Sequence, residues 1–272
     1  MKKLISLSLA LIMILGAAFC FSSCKSSAEN KTLVCGVTVF ENMNEQDENG
    51  NWTGFESEFA MEVGKLIGMN VDFQIIDWGQ KYMELEAGTI DCIWNGFTAN
   101  SSDKINGVDT KRSDLVDFSY GYMLNQQCIV INKSNAASYK TEADLVGKTV
   151  AVESGSAGAS YATEAVGETG KLLEFPAQNK TFLEVKTGAA DFAVVDIVLA
   201  RNICGNGDYA DLMIAEDIVL DSEIYAIGFQ KGSDLTEKVN GAIKTLFENG
   251  KIMELATKYG FENVIQLTEV IE

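Results

Sequence analysis

Between Gly88 and Tyr122 the chain sets a threonine and an arginine on either side of a polar loop. Asp91-Cys-Ile-Trp-Asn-Gly reads as a short apolar strand that runs out through Asn95 and Gly96 into Thr98. A strand end of this kind offers free backbone groups and a hydroxyl to a small polar ligand. Arg112 follows, five residues before Asp117-Phe118-Ser119. A guanidinium can hold a carboxylate through two parallel N–H bonds, whereas an ammonium is a point charge. Farther on, Ser154-Gly155-Ser156 precedes a helix, so backbone N–H groups and the positive dipole end would face an anion. Ser156 also suits the N-cap of that helix. Asp196 closes the apolar strand Phe192-Ala-Val-Val, where its carboxylate either meets a cation or caps the next helix.

Elements that alternate between strand and helix must position them. Residues 31–39 read as a strand and 42–54 as a polar loop with Asn-Gly-Asn turn chemistry. A helix follows in which Phe55, Phe59, Val63, Leu66 and Ile67 recur on one face, with Gly68 ending it. Strands are expected at 71–75, 89–94, 148–153, 172–175, 191–195 and 223–230. Helices are expected at 82–87, 157–166, 181–188, 235–248 and 252–259. The pattern implies an α/β fold with largely parallel sheets, and such sheets bind ligands at the carboxyl ends of their strands. Two βαβ-type halves joined by strand-like crossings near 123–131 and 218–228 give a discontinuous first lobe, 31–124 plus 226–272, and a second lobe over 125–225. The crossings are the expected hinge.

The stretch from Gly88 to Tyr122 resembles the bacterial extracellular solute-binding proteins of family 3, the substrate-binding proteins of amino-acid ABC transporters. The family pattern is G-x-(I/V)-D-(A/C)-x-x-x-G-x-T, then an arginine, then (V/I)-D-F-S-x-P-Y. The resemblance covers the whole chain after the leader and implies a two-lobed type 2 periplasmic-binding-protein fold. It also implies site roles. Gly96 and Thr98 would contact the ligand's α-amino and carboxylate groups, Arg112 and Ser156 its carboxylate, and Asp196 its α-ammonium. Asn95, Trp78, Phe40, Glu41, Glu153 and Ser154 would complete the pocket, with Glu41 or Glu153 pointing to a polar or cationic side chain. Two departures stand out: Gly121 replaces the family's proline, and Arg112 comes fourteen positions after Thr98, where the family normally places its arginine about five after the threonine. The polar insert near 100–109 is expected to loop outward, which leaves Arg112 either in the cleft or on the surface.

Residues 1–23 lie outside that fold. Lys2 and Lys3, an apolar run over 4–21 and Ser22-Ser23 before Cys24 read as a lipoprotein signal peptide. On this reading Cys24 carries the lipid, 24–30 is a tether, and the protein is anchored to the outer face of the cell membrane. Without Lys2 and Lys3 the chain keeps 39 acids against 19 bases, near −20. Such a surface repels nucleic acid. The remaining cysteines, Cys35, Cys92, Cys128 and Cys204, have no short paired spacing and read first as buried thiols. No histidine is present to complete a zinc shell, so neither metal nor cofactor is expected.

The expected activity is capture of a free amino acid outside the cell by a monomer that delivers it to an ABC permease and its ATPase. An enzyme is the first alternative, because related folds include dehydratases of small carboxylic acids. Without histidine, acid–base work would fall to carboxylates, and no acidic pair stands beside Thr98. A ligand-sensing lobe for a signalling partner is the second alternative.

Overall fold

The computed structural model describes residues 31–269; the expected leader 1–23, the tether 24–30 and Cys24 lie outside the described residues. Apolar residues at period two build β1 (Thr32–Val37), whose Leu33, Cys35 and Val37 are fully buried. In α1 (Phe55–Ile67), Phe55, Phe59 and Val63 recur at helical spacing and face inward. Gly68 stops that helix at φ 71°, a left-handed conformation, and its N–H bonds Gly64 O. β2 (Asn70–Ile75), α2 (Lys81–Ala87) and β3 (Cys92–Ile93) follow. Then come β4 (Ser102–Ile105), β5 (Val108–Lys111), β6 (Asp117–Phe118) and the long β7 (Gly121–Asn132).

The second half repeats the logic with β8 (Thr149–Glu153), α3 (Ala157–Val166), β9 (Lys171–Phe175), α4 (Thr181–Thr187) and β10 (Phe192–Asp196). It continues through α5 (Ile197–Ile203), β11 (Leu212–Ile214), β12 (Ser222–Tyr225) and β13 (Gly228–Phe229). α6 (Asp234–Glu248), α7 (Lys251–Tyr259) and β14 (Ile265–Thr268) close the chain.

Two sheets result. The first runs β2-β1-β3-β13-β6 and the second β9-β8-β10-β7-β11. β2, β1 and β3 are parallel, as are β9, β8 and β10, so helices must cross over between them. β7 follows β6, the edge strand of the first sheet, and enters the second sheet, where it pairs with β10 and β11. β12 returns along the first half of β7 in antiparallel register, Ser222 opposite Gln126 and Tyr225 opposite Met123. The two crossings between the sheets therefore lie side by side.

Three stretches differ from the sequence reading. Of the strand expected over 89–94, Cys92–Ile93 alone makes ladder pairs, flanked by single bonds from Asp91 N to Val34 O and Trp94 N to Gly36 O. The strand expected over 223–230 breaks in two. Between its parts Ala226 N–H bonds Phe97 O and Ile227 N–H bonds Ser119 Oγ, as the chain changes sheet.

The insert is the largest difference. It does not loop outward: β4 and β5 form a hairpin closed by Asn106 and Gly107 at φ 53° and 80°, the left-handed pair that a tight two-residue turn requires. The hairpin lies against α3, where Ser160 Oγ is 3.5 Å from Ser102 O. Its Asp103 is buried.

Aromatic packing fixes α1 under the first sheet. Phe59 meets Trp94 and Tyr122 edge-on, at centroid distances of 5.2 and 5.3 Å. That packing sets the first turn of α1, and with it Glu56, directly behind the end of β3.

Candidate functional site

At the carboxyl ends of the strands the two halves enclose a cavity of about 10 Å³. Trp78, Asn95, Gly96, Thr98 and Arg112 line it from the first sheet, and Glu153, Ser156, Ala157, Gln178 and Asp196 from the second. Gln127, on the crossing strand β7, completes the wall. A volume of that size corresponds to about one water, so the walls must part to admit a larger molecule.

On the first side, each strand-end residue is held by buried polar groups. Asn95 Oδ1 accepts from Thr38 N at 3.0 Å, and its Nδ2 donates to Thr38 O at 3.1 Å and Asn44 Oδ1 at 2.8 Å. Gly96 sits at φ 58° and its N–H bonds the Glu56 carboxylate at 2.9 and 3.1 Å. A side chain there would stand 3.0 Å from the Tyr225 ring, so glycine lets the backbone face the cavity unobstructed. Thr98 Oγ1 donates to Glu223 Oε2 at 3.2 Å, and Thr98 O accepts from Arg112 Nη1 at 3.1 Å.

Arg112 is 1% exposed and belongs to the cleft, not to the surface. Asp103 Oδ1 accepts from its Nε and Nη2 at 3.1 and 2.9 Å. Burial pushes the Asp103 carboxyl up, but the charges of Arg112 and Lys81 outweigh it and hold it down to about 2. Lys81 is itself buried and donates to Gly155 O across the cleft at 2.8 Å. Burial, with repulsion from Arg112, lowers its ammonium to about 8.

From the second side, Ser156 caps α3 through a bond from Ala159 N at 3.0 Å, which leaves the first N–H groups of the helix toward the cavity wall. Asp196 Oδ1 accepts from Asn125 Nδ2 at 2.5 Å and Gln127 Nε2 at 2.6 Å, while Gln178 donates to Oδ2. Asp196 occupies the N-cap position of α5, but its side chain makes no cap bond and is spent on the cleft instead. Glu153 is buried with Thr38 Oγ1 3.4 Å from its Oε1. Burial, reinforced by the Asp196 charge, raises its carboxyl to about 8. The same two causes raise Glu223 to about 7, and burial raises Asp196. The site thus holds both signs of charge: Arg112, Lys81 and the α3 terminus on one hand, and the buried acids Glu153, Asp196 and Glu223 on the other.

Three expected site residues do not line the cavity. Phe40 is buried in the core, its ring edge 3.2 Å from where a Gly96 side chain would begin. Glu41 lies half-buried, in the fields of Glu45 and Lys180. Ser154 stands at the rim, 3.4 Å from Glu174 Oε1. Conversely, Gln127, Ala157 and Gln178 were not anticipated, nor were Asp103, Glu56 and Glu223 behind the wall. Gln127 and Glu223 sit on the crossing strands, where apolar alternation marks a strand without telling which polar residue faces a cleft. Cys35 and Cys92 are register partners on β1 and β3, and both are free, buried thiols.

The model of the bacterial extracellular solute-binding proteins, family 3, matches residues 33–263. The chain belongs to that family. It is 28% identical to the arginine-binding extracellular protein ArtP of Bacillus subtilis over 95% of this chain and 98% of that protein. Among solved structures, it is similar to an ABC uptake transporter substrate-binding protein from Streptococcus pneumoniae with bound histidine. That match has a TM-score of 0.75 and 30% identity, over 87% of this chain and 95% of the other. It is also similar to the ancestral amino acid-binding protein AncCDT-1, a precursor of cyclohexadienyl dehydratase, with a TM-score of 0.73 and 26% identity over 85% and 96%. Family 3 membership accounts for the two-lobed architecture and makes the chain an extracytoplasmic solute-binding protein. Among the described residues no helix is long and apolar enough to cross a membrane.

Proposed function

We propose that the cleft captures one free amino acid, clasping its α-carboxylate with Arg112, Thr98 and the α3 terminus at Ser156, and its α-ammonium with Asp196. The observation that carries this is the opposition of a buried guanidinium and a buried carboxylate across a single cavity. Each pair forms away from water, where charge-assisted bonds are strong. Glu153, the further acid in the wall, favours a cationic or strongly donating side chain, in line with the arginine named for ArtP. The lobes part on the β7/β12 crossings to admit the ligand and shut on it. The monomer, held by lipid on Cys24 to the outer face of the cell membrane, delivers the ligand to an ABC permease subunit and its ATPase. A thermal-shift screen of the purified protein against the common amino acids tests the core of this reading. Stabilisation by one or a few is expected; a folded protein that responds to none overturns it.

A dehydratase-like enzyme is the second reading. The carboxyl of Glu153, raised to about 8 inside the cavity, is suited to donate a proton at neutral pH. NMR of the bound amino acid over hours separates the two: an unchanged spectrum supports capture alone.

A further inference from the structure

The hairpin β4/β5 lengthens the interval between Thr98 and Arg112, and Asp103 on it is spent almost wholly on the arginine and its neighbours. Its Oδ1 takes the Nε/Nη2 edge of the guanidinium at 3.1 and 2.9 Å. Its Oδ2 accepts from Tyr82 Oη at 2.6 Å and lies 3.4 Å from Lys81 Nζ. Thr98 O takes one Nη1 hydrogen at 3.1 Å, and the Phe97 ring supports the plane with its centroid 4.9 Å from Cζ.

A guanidinium has five N–H donors in a rigid fork. Three are held by these partners, so two remain, one on each terminal nitrogen. They form the end-on fork. The one on Nη2 makes a long bond of 3.5 Å to Gly155 O, on the loop that opens α3. The fork therefore points across the cleft, where a ligand carboxylate would displace that weak bond.

We propose that Asp103 is the positioning residue of this site, aiming the end-on fork of Arg112 at the α-carboxylate of the bound amino acid. The inference rests on the reading of Arg112 as the carboxylate-binding group. Asp103 does not cancel the site's charge, because Arg112 and Lys81 together with Asp103 leave one net positive charge for the ligand. It also keeps two buried cations together in one wall. A carboxylate that merely competed for Arg112 would, on removal, free the guanidinium and tighten binding. A carboxylate that aims it makes binding weaker when lost. The two roles differ in sign.

The test is calorimetric titration of the lipid-free chain with L-arginine and with L-argininamide, whose α-carboxylate is replaced by an amide. The variants are Asp103→Asn, Tyr82→Phe and Arg112→Ala. The wild type should prefer L-arginine, and Arg112→Ala should abolish that preference. Asp103→Asn should weaken L-arginine about tenfold and leave L-argininamide nearly unchanged, the size expected for neighbouring groups in one network. The ratio of the two affinities is insensitive to any fraction that fails to fold. Tyr82→Phe, which removes one partner of Oδ2 alone, should lower the same ratio by less, and it decides the matter if Asp103→Asn does not fold. An unchanged ratio, or tighter L-arginine binding, in Asp103→Asn beside a weakened Arg112→Ala overturns the inference and leaves the carboxylate reading standing. A wild type that does not distinguish the two compounds, or an Arg112→Ala that binds normally, overturns both.

Discussion

The Asp196 and Glu223 carboxylates share two donors: Asn125 Nδ2 lies 2.5 Å from one and 2.7 Å from the other, and Gln127 Nε2 lies 2.6 and 3.0 Å away. Asp196 ends a strand of the second sheet, Glu223 lies on one crossing strand, and both amides lie on the other. Two buried acids that draw on the same amides cannot both ionise cheaply. The junction of hinge and cleft therefore holds protons that it would give up to a cation.

That arrangement sets the pH dependence of stability. Burial, reinforced by the Asp196 charge, raises Glu153 to about 8 and both Glu223 and Glu56 to about 7, the last against the hydrogen bonds that Tyr122 and Gly96 donate to it. The folded state thus holds protons that the unfolded chain releases above its ordinary carboxyl range. The stability they contribute is complete at the acid end and is lost as pH rises through 7 to 8. Asp103, held down to about 2, acts oppositely, but only below the pH at which unfolded aspartate titrates. Thermal unfolding of the ligand-free protein should show a Tm at pH 8 at least about 2 °C below that at pH 5.5, the response to roughly 1 kcal/mol in a domain of this size. A Tm that is flat or rising over that interval contradicts the buried-acid account.

Glu153 faces the cavity from the second side, beside the Thr38 hydroxyl and the Gln178 amide and within the fields of Asp196 and Lys81. Glu153→Gln keeps the shape and removes the charge. Titration should find L-arginine weakened about tenfold, the scale of a lost desolvated charge pair at its lower end, with L-glutamine little affected. Equal losses for both would assign Glu153 a packing role.

Gly96 combines φ 58° with a Tyr225 ring 3.0 Å from any added side chain. Gly96→Ala should cost about 1–3 kcal/mol, read as a lowered urea midpoint with an unchanged slope. It should also weaken ligand binding, because the N–H held by Glu56 would shift with the strand end. A variant as stable as the wild type would show that the position tolerates a side chain.

Much of this was legible in the chain before its fold. The spacing of Phe55, Phe59 and Val63 marks a helix because one face must be buried, and Gly68 ends it where a left-handed residue is needed. Ser156 and Ala157–Val166 agree with the expected cap and helix to the residue. Asp103 was not legible as a partner of Arg112. The insert's Asn, Ser, Asp and Gly content suggested a solvated loop, although Asn106-Gly107 carries a hairpin signal. That Asp103 turns inward depends on Arg112, Lys81 and Tyr82 converging from three segments, which local pattern does not encode. The same holds for Glu223 and Gln127, whose facing is decided by how the two crossing strands lie together.

In the proposed clasp, one buried cation and one buried acid grip opposite ends of the same zwitterion. The most direct test titrates the amino acid that stabilises the protein best, alongside its decarboxylated and its deaminated analogue, against the wild type, Arg112→Ala and Asp196→Asn. Each analogue should bind the wild type at least about thirtyfold more weakly than the parent, the cost of leaving one buried charge unpaired. Arg112→Ala should erase the difference for the decarboxylated compound and Asp196→Asn for the deaminated one. An analogue that binds the wild type as tightly as the parent would contradict the account.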